Sequence, residues 1–253
     1  MTRYFRGRKT RFSLQSEYGT ILLAALAGLI SPLPTYAAIP IGLSFLAAGV
    51  PFSAIVAFII ASPLMNPTVF FLTATQLGME MAVVRTLAAF VLAIVGGFIS
   101  IKVLQSPSQC NPSTEEVQPP IARPLSKEIL GNARYMLKFF SLAILLSAAV
   151  RALIAPEVVT RLLGGNANLS TLFAIGMGVP FYTCGGSAIP FVQTLMEMGM
   201  NKGATLAFFL AGPATKLETL YAYKTMLGTK VLIFFLVLTL VFSYVSGVLY
   251  SYF

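Results

Sequence analysis

The stretch Ser31-Pro32-Leu33-Pro34-Thr35-Tyr36-Ala37-Ala38-Ile39-Pro40 interrupts an apolar run, and its last three residues return 150 positions later as Ala188-Ile189-Pro190. The match continues without a gap. Gly49 falls on Gly199, Ala54 on Ala204, Ala57-Phe58 on Ala207-Phe208, Ala61-Ser62-Pro63 on Ala211-Gly212-Pro213, and Gly78 on Gly228. From Ala38 to Gly78, 12 of 41 positions are identical. Shared apolar composition gives some matches by chance. It does not readily align two Ile-Pro pairs, two mid-helix prolines and two glycines at one offset. Internal repeats of this kind, interrupted by Gly and Pro, are common in secondary transporters.

Outward from this repeat, the chain reads as membrane-embedded. Hydrophobic residues make up 57% and charged residues 10% of the 253 residues, and the mean hydropathy is +0.84. Soluble domains carry about 25% charged residues. The apolar stretches are Gly19–Ile30, Ile41–Val50, Pro51–Leu77, Met81–Leu104, Tyr135–Ile154, Leu169–Val179, Phe191–Met200, Gly203–Leu227 and Val231–Phe253, with a short amphipathic piece at Glu157–Leu163. None alternates polar and apolar residues over barrel-like lengths, so the spacing predicts helices. The expected fold is an all-α polytopic membrane protein with an internal two-fold repeat. Residues 1–18 form a basic arm, 19–104 the first transmembrane repeat, 105–131 a polar linker and 132–253 the second repeat.

Charge decides how the repeats face. If Gly19–Ala38 crosses fully, four crossings separate Ile39 from Ile189 and the repeats are parallel. Lys102, Arg123, Lys127, Arg134 and Lys138 then lie outside, against the positive-inside rule. If Gly19–Gly49 is instead a re-entrant hairpin, each leg of about 10–13 residues reaches roughly 15–20 Å, to the bilayer midplane. Leu169–Gly199 does the same from the other side. Three crossings then separate the repeats, and they are inverted. The N-terminal arm and linker become cytoplasmic with ten Lys and Arg between them, leaving Arg85, Arg151, Arg161 and Lys202 opposite. This second reading is preferred. It brings two hairpin tips and two broken helices to the midplane, with structural breaks at Pro32, Pro34, Pro40, Pro63, Pro67, Pro180, Pro190 and Pro213. Broken backbone at that depth must face protein or water.

The sequence also excludes chemistries. It has no His, Asp or Trp, so the common hydrolytic triads and H-x-x-x-H metal helices cannot form. It has no G-x-x-x-x-G-K-[ST] loop, hence no ATPase of its own. Cys110 and Cys184 are far apart and make neither a disulfide framework nor a zinc motif. No metal and no cofactor are expected. The net charge of +9 is concentrated at Arg3, Arg6, Arg8, Lys9 and Arg11, which beside an apolar segment reads as a cytoplasmic, lipid-attracting anchor rather than a nucleic-acid arm. The same start resembles a signal peptide, with Tyr36-Ala37-Ala38 as cleavage site, but the internal counterpart of that segment argues against cleavage.

Candidate substrate-binding residues lie at the four interruptions. Lys216 and Glu218 are charges in an apolar stretch, which marks a substrate or coupling site, a structural ion pair, or a tip that reaches water. Asn66, the repeat equivalent of Lys216, can donate and accept hydrogen bonds or simply cap a helix beside Pro67. Thr35, Tyr36, Thr183 and Ser187 offer hydroxyls at the tips, for a solute or for freed carbonyls. Cys184, beside Gly185-Gly186, is either a ligand or a buried inert thiol. Glu80 and Arg85 read as interfacial anchors.

At these residues the sequence resembles the predicted-permease family that includes the ArsP-type organoarsenical efflux permeases. That family is similar around S-P-L-C-S-C-G-x-I-P, here Ser31 to Pro40, and around a following stretch matched by Gly49, Pro51, Ala57, Phe58, Pro63, Asn66 and Pro67. Ala207–Lys216 in the second half also resembles it. Pro34 and Tyr36 stand where the family has paired cysteines. Thiolates hold trivalent arsenicals and soft metals, so this departure weighs against an arsenical site. Cys184, aligned with Pro34 through the repeat, offers one sulfur. No span precedes the first hairpin, whereas Tyr135–Ile154 precedes the second, as expected of a reduced member or of one half of a two-gene pair.

The expected function is a permease of the plasma (inner) membrane, with cytoplasmic N-terminus, moving a small solute by alternating access. The resemblance implies metalloid or organoarsenical efflux. Its partners are the lipid bilayer, the solute and a homo- or heteromeric membrane partner, with no nucleic acid. It is not expected to be an enzyme; an intramembrane enzyme using Cys184 or Lys216 lacks a suitable general base. A membrane assembly subunit whose repeat is only a folding unit is the other alternative.

Overall fold

A computed structural model describes residues 17–104 apart from 32 and 34, 155–178 and 188–252, with isolated helical positions at Ser141, Leu145, Ala148 and Ala152. The side chains of Thr35, Tyr36 and Glu218 also lie outside the described part. The chain is all helix there: α1 Glu17–Ile30, α2 Thr35–Ala47, α3 Phe52–Leu64, α4 Pro67–Leu77, α5 Met79–Val103, α6 Pro156–Val159 running into a π turn at Thr160–Gly164, α7 Ala167–Gly178, α8 Ile189–Glu197, α9 Lys202–Thr215, α10 Leu217–Met226 and α11 Thr229–Tyr250. The starts of α1, α3, α4 and α5 lie 150 residues before those of α7, α9, α10 and α11. Gly49 and Gly199 close the hairpins at φ 96° and 103°, and Gly78 and Gly228 make the next turns at φ 97° and 88°. These are backbone angles that favour glycine.

Among the described residues two helices, α5 and α11, are long and apolar enough to cross a membrane. The pair α3–α4, bent by 41°, passes the same test as one span. With α1, α2 and α7 as shorter apolar helices, this is an all-α membrane protein.

Contacts between side chains fix which ends meet. At one end Ser53 Oγ at the start of α3 donates to Glu17 Oε1 at the start of α1, 2.9 Å. The Tyr18 ring there lies 5.5 Å from Phe98, near the end of α5. At the other end Lys202 Nζ, at the start of α9, meets both Glu80 carboxylate oxygens at 2.9 Å. Tyr250, at the end of α11, donates its hydroxyl to Glu80 Oε1 at 2.8 Å. Glu80 opens α5, so α3 and α9 enter from opposite ends. α1 is 14 residues long and α5 is 25, about 21 Å against about 38 Å. α1 is therefore little more than half as long as α5, and the chain returns through α2 to the end where α1 began.

Lipid-solvated helices gain little from apolar contact alone, so close packing of small residues matters. The buried face of α5 carries Ala82, Ala89, Ala93, Gly96, Gly97 and Ser100. A Cβ on Gly97 would come within 2.7 Å of Ile21 and 3.2 Å of the Ser53 carbonyl. In α11, Thr239, Ser243 and Gly247 are buried at four-residue spacing. A Cβ on Gly247 would lie 2.8 Å from Ala207 Cβ and from Thr171 Cγ2. Each hairpin return arm also packs on the other half: α2 touches α10, and α8 touches α4.

Two expectations are corrected. Pro40 is not a break but sits inside α2. As the sixth helical residue it forfeits only one hydrogen bond, to the carbonyl of Tyr36, near an end where donors are unpaired anyway. Arg85 is not an interfacial anchor: it is 0% exposed, on the buried face of α5. It therefore leaves the set of charges placed at the far membrane surface.

Candidate transport site at the helix breaks

The first hairpin tip meets the first broken helix. Ser62 Oγ, one residue before Pro63, donates to the Leu33 carbonyl at 2.8 Å. The arm comes this close because Gly28 lacks a side chain: its Cβ would lie 2.7 Å from Ala61 Cβ and 2.8 Å from the Phe58 carbonyl. In the second half Gly178, at the end of α7, lies against Phe208 and the Gly212 nitrogen. It occupies the place corresponding to Gly28.

Neither break is at the proline itself. α3 continues through Pro63 to Leu64, then Met65 and Asn66 take extended backbone (φ −149° and −150°). Pro67 follows at the first turn of α4, where its missing donor costs nothing. α9 continues through Pro213 to Thr215, and Lys216 alone is extended before α10. Both prolines sit within the helix, and the chain leaves helical geometry two or three residues later, at the first break where a side-chain cap is available. Asn66 supplies one: its Oδ1 accepts from the Val69 nitrogen at 2.9 Å. The capping role anticipated for Asn66 is thus present, with the side chain half-buried.

At the second break hydroxyls hold the carbonyls. Thr215 Oγ1 donates to Ala211 at 3.1 Å and Gly212 at 3.3 Å. Buried Thr219 donates across the break to the Pro213 carbonyl at 3.2 Å. Lys216 is half-buried. Leu64 and Met65 beside the first break share one apolar cluster with Leu206, Leu210 and Ala214 beside the second.

The remaining candidates divide by what is described. Pro190 starts α8. Thr35 and Tyr36 open α2, and Glu218 lies in the first turn of α10, by backbone only. Pro32, Pro34, Pro180, Thr183, Cys184, Ser187 and Cys110 lie outside the described residues. Among the described residues, the polar side chains at the two breaks include Asn66, Thr215, Lys216 and Thr219, within otherwise apolar surroundings.

Sequence reasoning missed Arg85. Its guanidinium Nη1 donates to Thr73 Oγ1 of α4 at 3.1 Å, and its central carbon lies 4.1 Å from the Phe209 ring centroid of α9. The signal was present in its spacing: Ala82, Arg85, Ala89, Leu92 and Gly96 share one helical face.

A family model described as a predicted permease, ArsP_1, matches residues 2–252. The UPF0718 protein MJ0584 of Methanocaldococcus jannaschii is 28% identical over 42% of the chain and 29% of its own length. The UPF0718 protein YcgR of Bacillus subtilis is 25% identical over 83% of the chain and 74% of its own length. The UPF0718 protein YraQ of Escherichia coli is 26% identical over 86% of the chain and 64% of its own length. The chain thus spans less than two thirds of two of these relatives. No solved structure matches.

Proposed function

The chain belongs to the predicted-permease family, and on that premise we propose that it is a permease moving a small solute by alternating access through the site at the helix breaks. The observation that carries this reading is the Ser62–Leu33 hydrogen bond, which seats a re-entrant tip on a broken helix. Irregular backbone inside a bilayer is tolerated where it is buried in protein or lines a watery cavity, and transporter sites are commonly built this way. Entry of α3 and α9 from opposite ends supports inverted repeats, with 19–104 and 132–253 as the two units. Asn66, Lys216 and Glu218 are the residues of the site, with Thr35, Tyr36, Thr183, Cys184 and Ser187 at the tips. The membrane is the plasma membrane and the N-terminus is cytoplasmic.

The orientation has a direct test. Ser113→Cys in intact cells should resist a membrane-impermeant maleimide and react in inside-out vesicles. Labelling of intact cells would sink the inverted arrangement.

Efflux of trivalent metalloids or organoarsenicals is the substrate reading that the family resemblance supports. Expression in a sensitised host should lower accumulation of methylarsenite, arsenite or antimonite, and Cys184→Ala should abolish the effect. Unchanged accumulation of all three would refute this substrate class. Loss of none of it in Cys184→Ala would refute only the thiol's part.

A further inference from the structure

A cleft opens between the two halves. Val56, Ile59 and Ile60 of α3 line one side, and Tyr223 of α10 with Val231 and Phe235 of α11 line the other. Its place along the molecule follows from the helix ends. Val56 stands three residues after Ser53, which meets Glu17. The end of α11 meets Glu80 through Tyr250, so Val231, in its first turn, lies at the opposite end. Ile60 precedes Asn66 by six residues, about 9 Å, and Tyr223 follows Lys216 by seven, about 10 Å. The cleft therefore lies between the breaks and the end that carries Glu17.

One polar atom there is left over. Tyr223 is 2% exposed, and among the described residues its hydroxyl has no hydrogen-bond partner. Buried tyrosine hydroxyls are ordinarily paired, since an unpaired one forfeits its hydration. The repeat shows what differs here. Thr73, 150 residues earlier, donates to the Val69 carbonyl at 2.7 Å and accepts from Arg85 Nη1 at 3.1 Å. The position matching Arg85 is Phe235. It stacks on the Tyr223 ring, with centroids 4.2 Å and planes 15° apart, and offers no polar atom. A phenylalanine at 223 would stack equally well, so this packing does not require the hydroxyl. The other lining side chains are apolar, so a partner for it has to come from outside them.

We propose that this cleft is a solute subsite on the route between the breaks and the Glu17 end, and that it takes a small uncharged molecule hydrogen-bonded to the Tyr223 hydroxyl. This deepens the permease reading and rests on it. The phenol donates to a carbonyl, sulfoxide or hydroxyl oxygen, or accepts from an N–H or O–H. Pairing the buried hydroxyl favours a molecule that carries such a group. The apolar walls favour a body of hydrocarbon or similar character. An ion is disfavoured, because none of the lining side chains is charged and nothing there offsets its lost hydration. Selection at this step is for neutral solutes with one polar end, and it falls on a residue that no helix break marks in the sequence.

The test reads a thiol placed in the cleft. Val56→Cys protein, purified in detergent, is reacted with neutral methyl methanethiosulfonate and with its trimethylammonium and sulfonate analogues. Each rate is divided by that reagent's rate with a free thiol, and the reaction of the same chain without that cysteine is subtracted. The neutral reagent should react about tenfold faster than either ion. Dimethyl sulfoxide, a small neutral acceptor, should slow the neutral reaction about threefold. Adding Tyr223→Phe, which keeps the ring stack, should abolish that protection. No reaction with any of the three reagents, ions as fast as the neutral reagent, or protection that is absent or survives Tyr223→Phe overturns the subsite. Asn66→Cys, reacted with the same neutral reagent, tests the permease reading separately. Its reaction keeps the permease even where the subsite fails. No reaction at Asn66→Cys removes the permease, and with it the subsite's place on a pathway.

Discussion

Gly203→Val should yield little folded protein, and what folds should melt well below the wild type in detergent. Gly203 lies in the first turn of α9, where a Cβ would overlap the Gly247 carbonyl and Ser251 Oγ and come within 2.8 Å of the Ser251 nitrogen. Two of those three atoms are backbone of the end of α11, so no rotamer change clears the space. Ser251 Oγ also donates to Asn201 Oδ1 at 2.9 Å, and Asn201 caps α9 through the Gly203 nitrogen at 2.6 Å. Valine would add two further methyl groups at the crossing of α9 and α11. Overpacking a close helix crossing costs about 1–3 kcal/mol, and more when backbone must move; loss of the cap adds about 1 kcal/mol. Gly176→Ala is the matched control. A Cβ there meets nothing within 4 Å, and alanine favours helix over glycine by about 0.5–1 kcal/mol. It should hold or raise the melting temperature. A Gly203→Val protein melting within about 2 °C of wild type, a shift worth about 1 kcal/mol at most, would show that α9 and α11 are not in this contact.

Much of this architecture is legible in the residues because backbone punctuation is chemical. Gly49, Gly78, Gly199 and Gly228 take positive φ at the offset that their alignment implies, since few other residues accept that geometry. Among the described residues the apolar runs are helical, because a backbone in lipid must satisfy itself. The prolines were a coarser guide. Pro40, Pro63 and Pro213 remain within helices, each forfeiting one backbone hydrogen bond without ending the helix there. The breaks follow at Asn66 and Lys216, set by where a cap or an extended residue is accommodated. Arg85 was misread for another reason. Hydropathy places a charge near a span's end at the interface, whereas burial depends on which helices lie against it. Only the tertiary contact of α4 and α9 with α5 reveals that. Asn66 illustrates a residue type with two readings: its capping bond is local and was foreseeable from Pro67, but capping leaves its role toward a solute to be measured.

Glu218→Gln should stop net, gradient-driven transport while leaving solute exchange largely intact. The backbone places Glu218 in the first turn of α10, directly after the extended residue Lys216. It is the one acidic residue that the sequence positions at a mid-chain break. Two residues apart on a continuous helix point to different faces. Here the extended backbone at Lys216 interrupts the helix and relaxes that constraint. In the proposed transport cycle a carboxylate at this position would take up and release a proton as its surroundings change between desolvated and hydrated, since desolvation and a neighbouring cation act on a carboxylate in opposite directions. Proton release coupled to solute movement would supply energy for net transport. Gln keeps the size and hydrogen bonding of Glu but cannot ionise. In proteoliposomes loaded with methylarsenite, the wild type should move it against its gradient when a pH gradient is imposed. The Gln variant should lose that net movement by tenfold or more, about 1.4 kcal/mol or more of driving interaction, yet still exchange labelled for unlabelled solute. Net transport by Glu218→Gln at the wild-type rate would remove Glu218 from the coupling step and leave it a structural role.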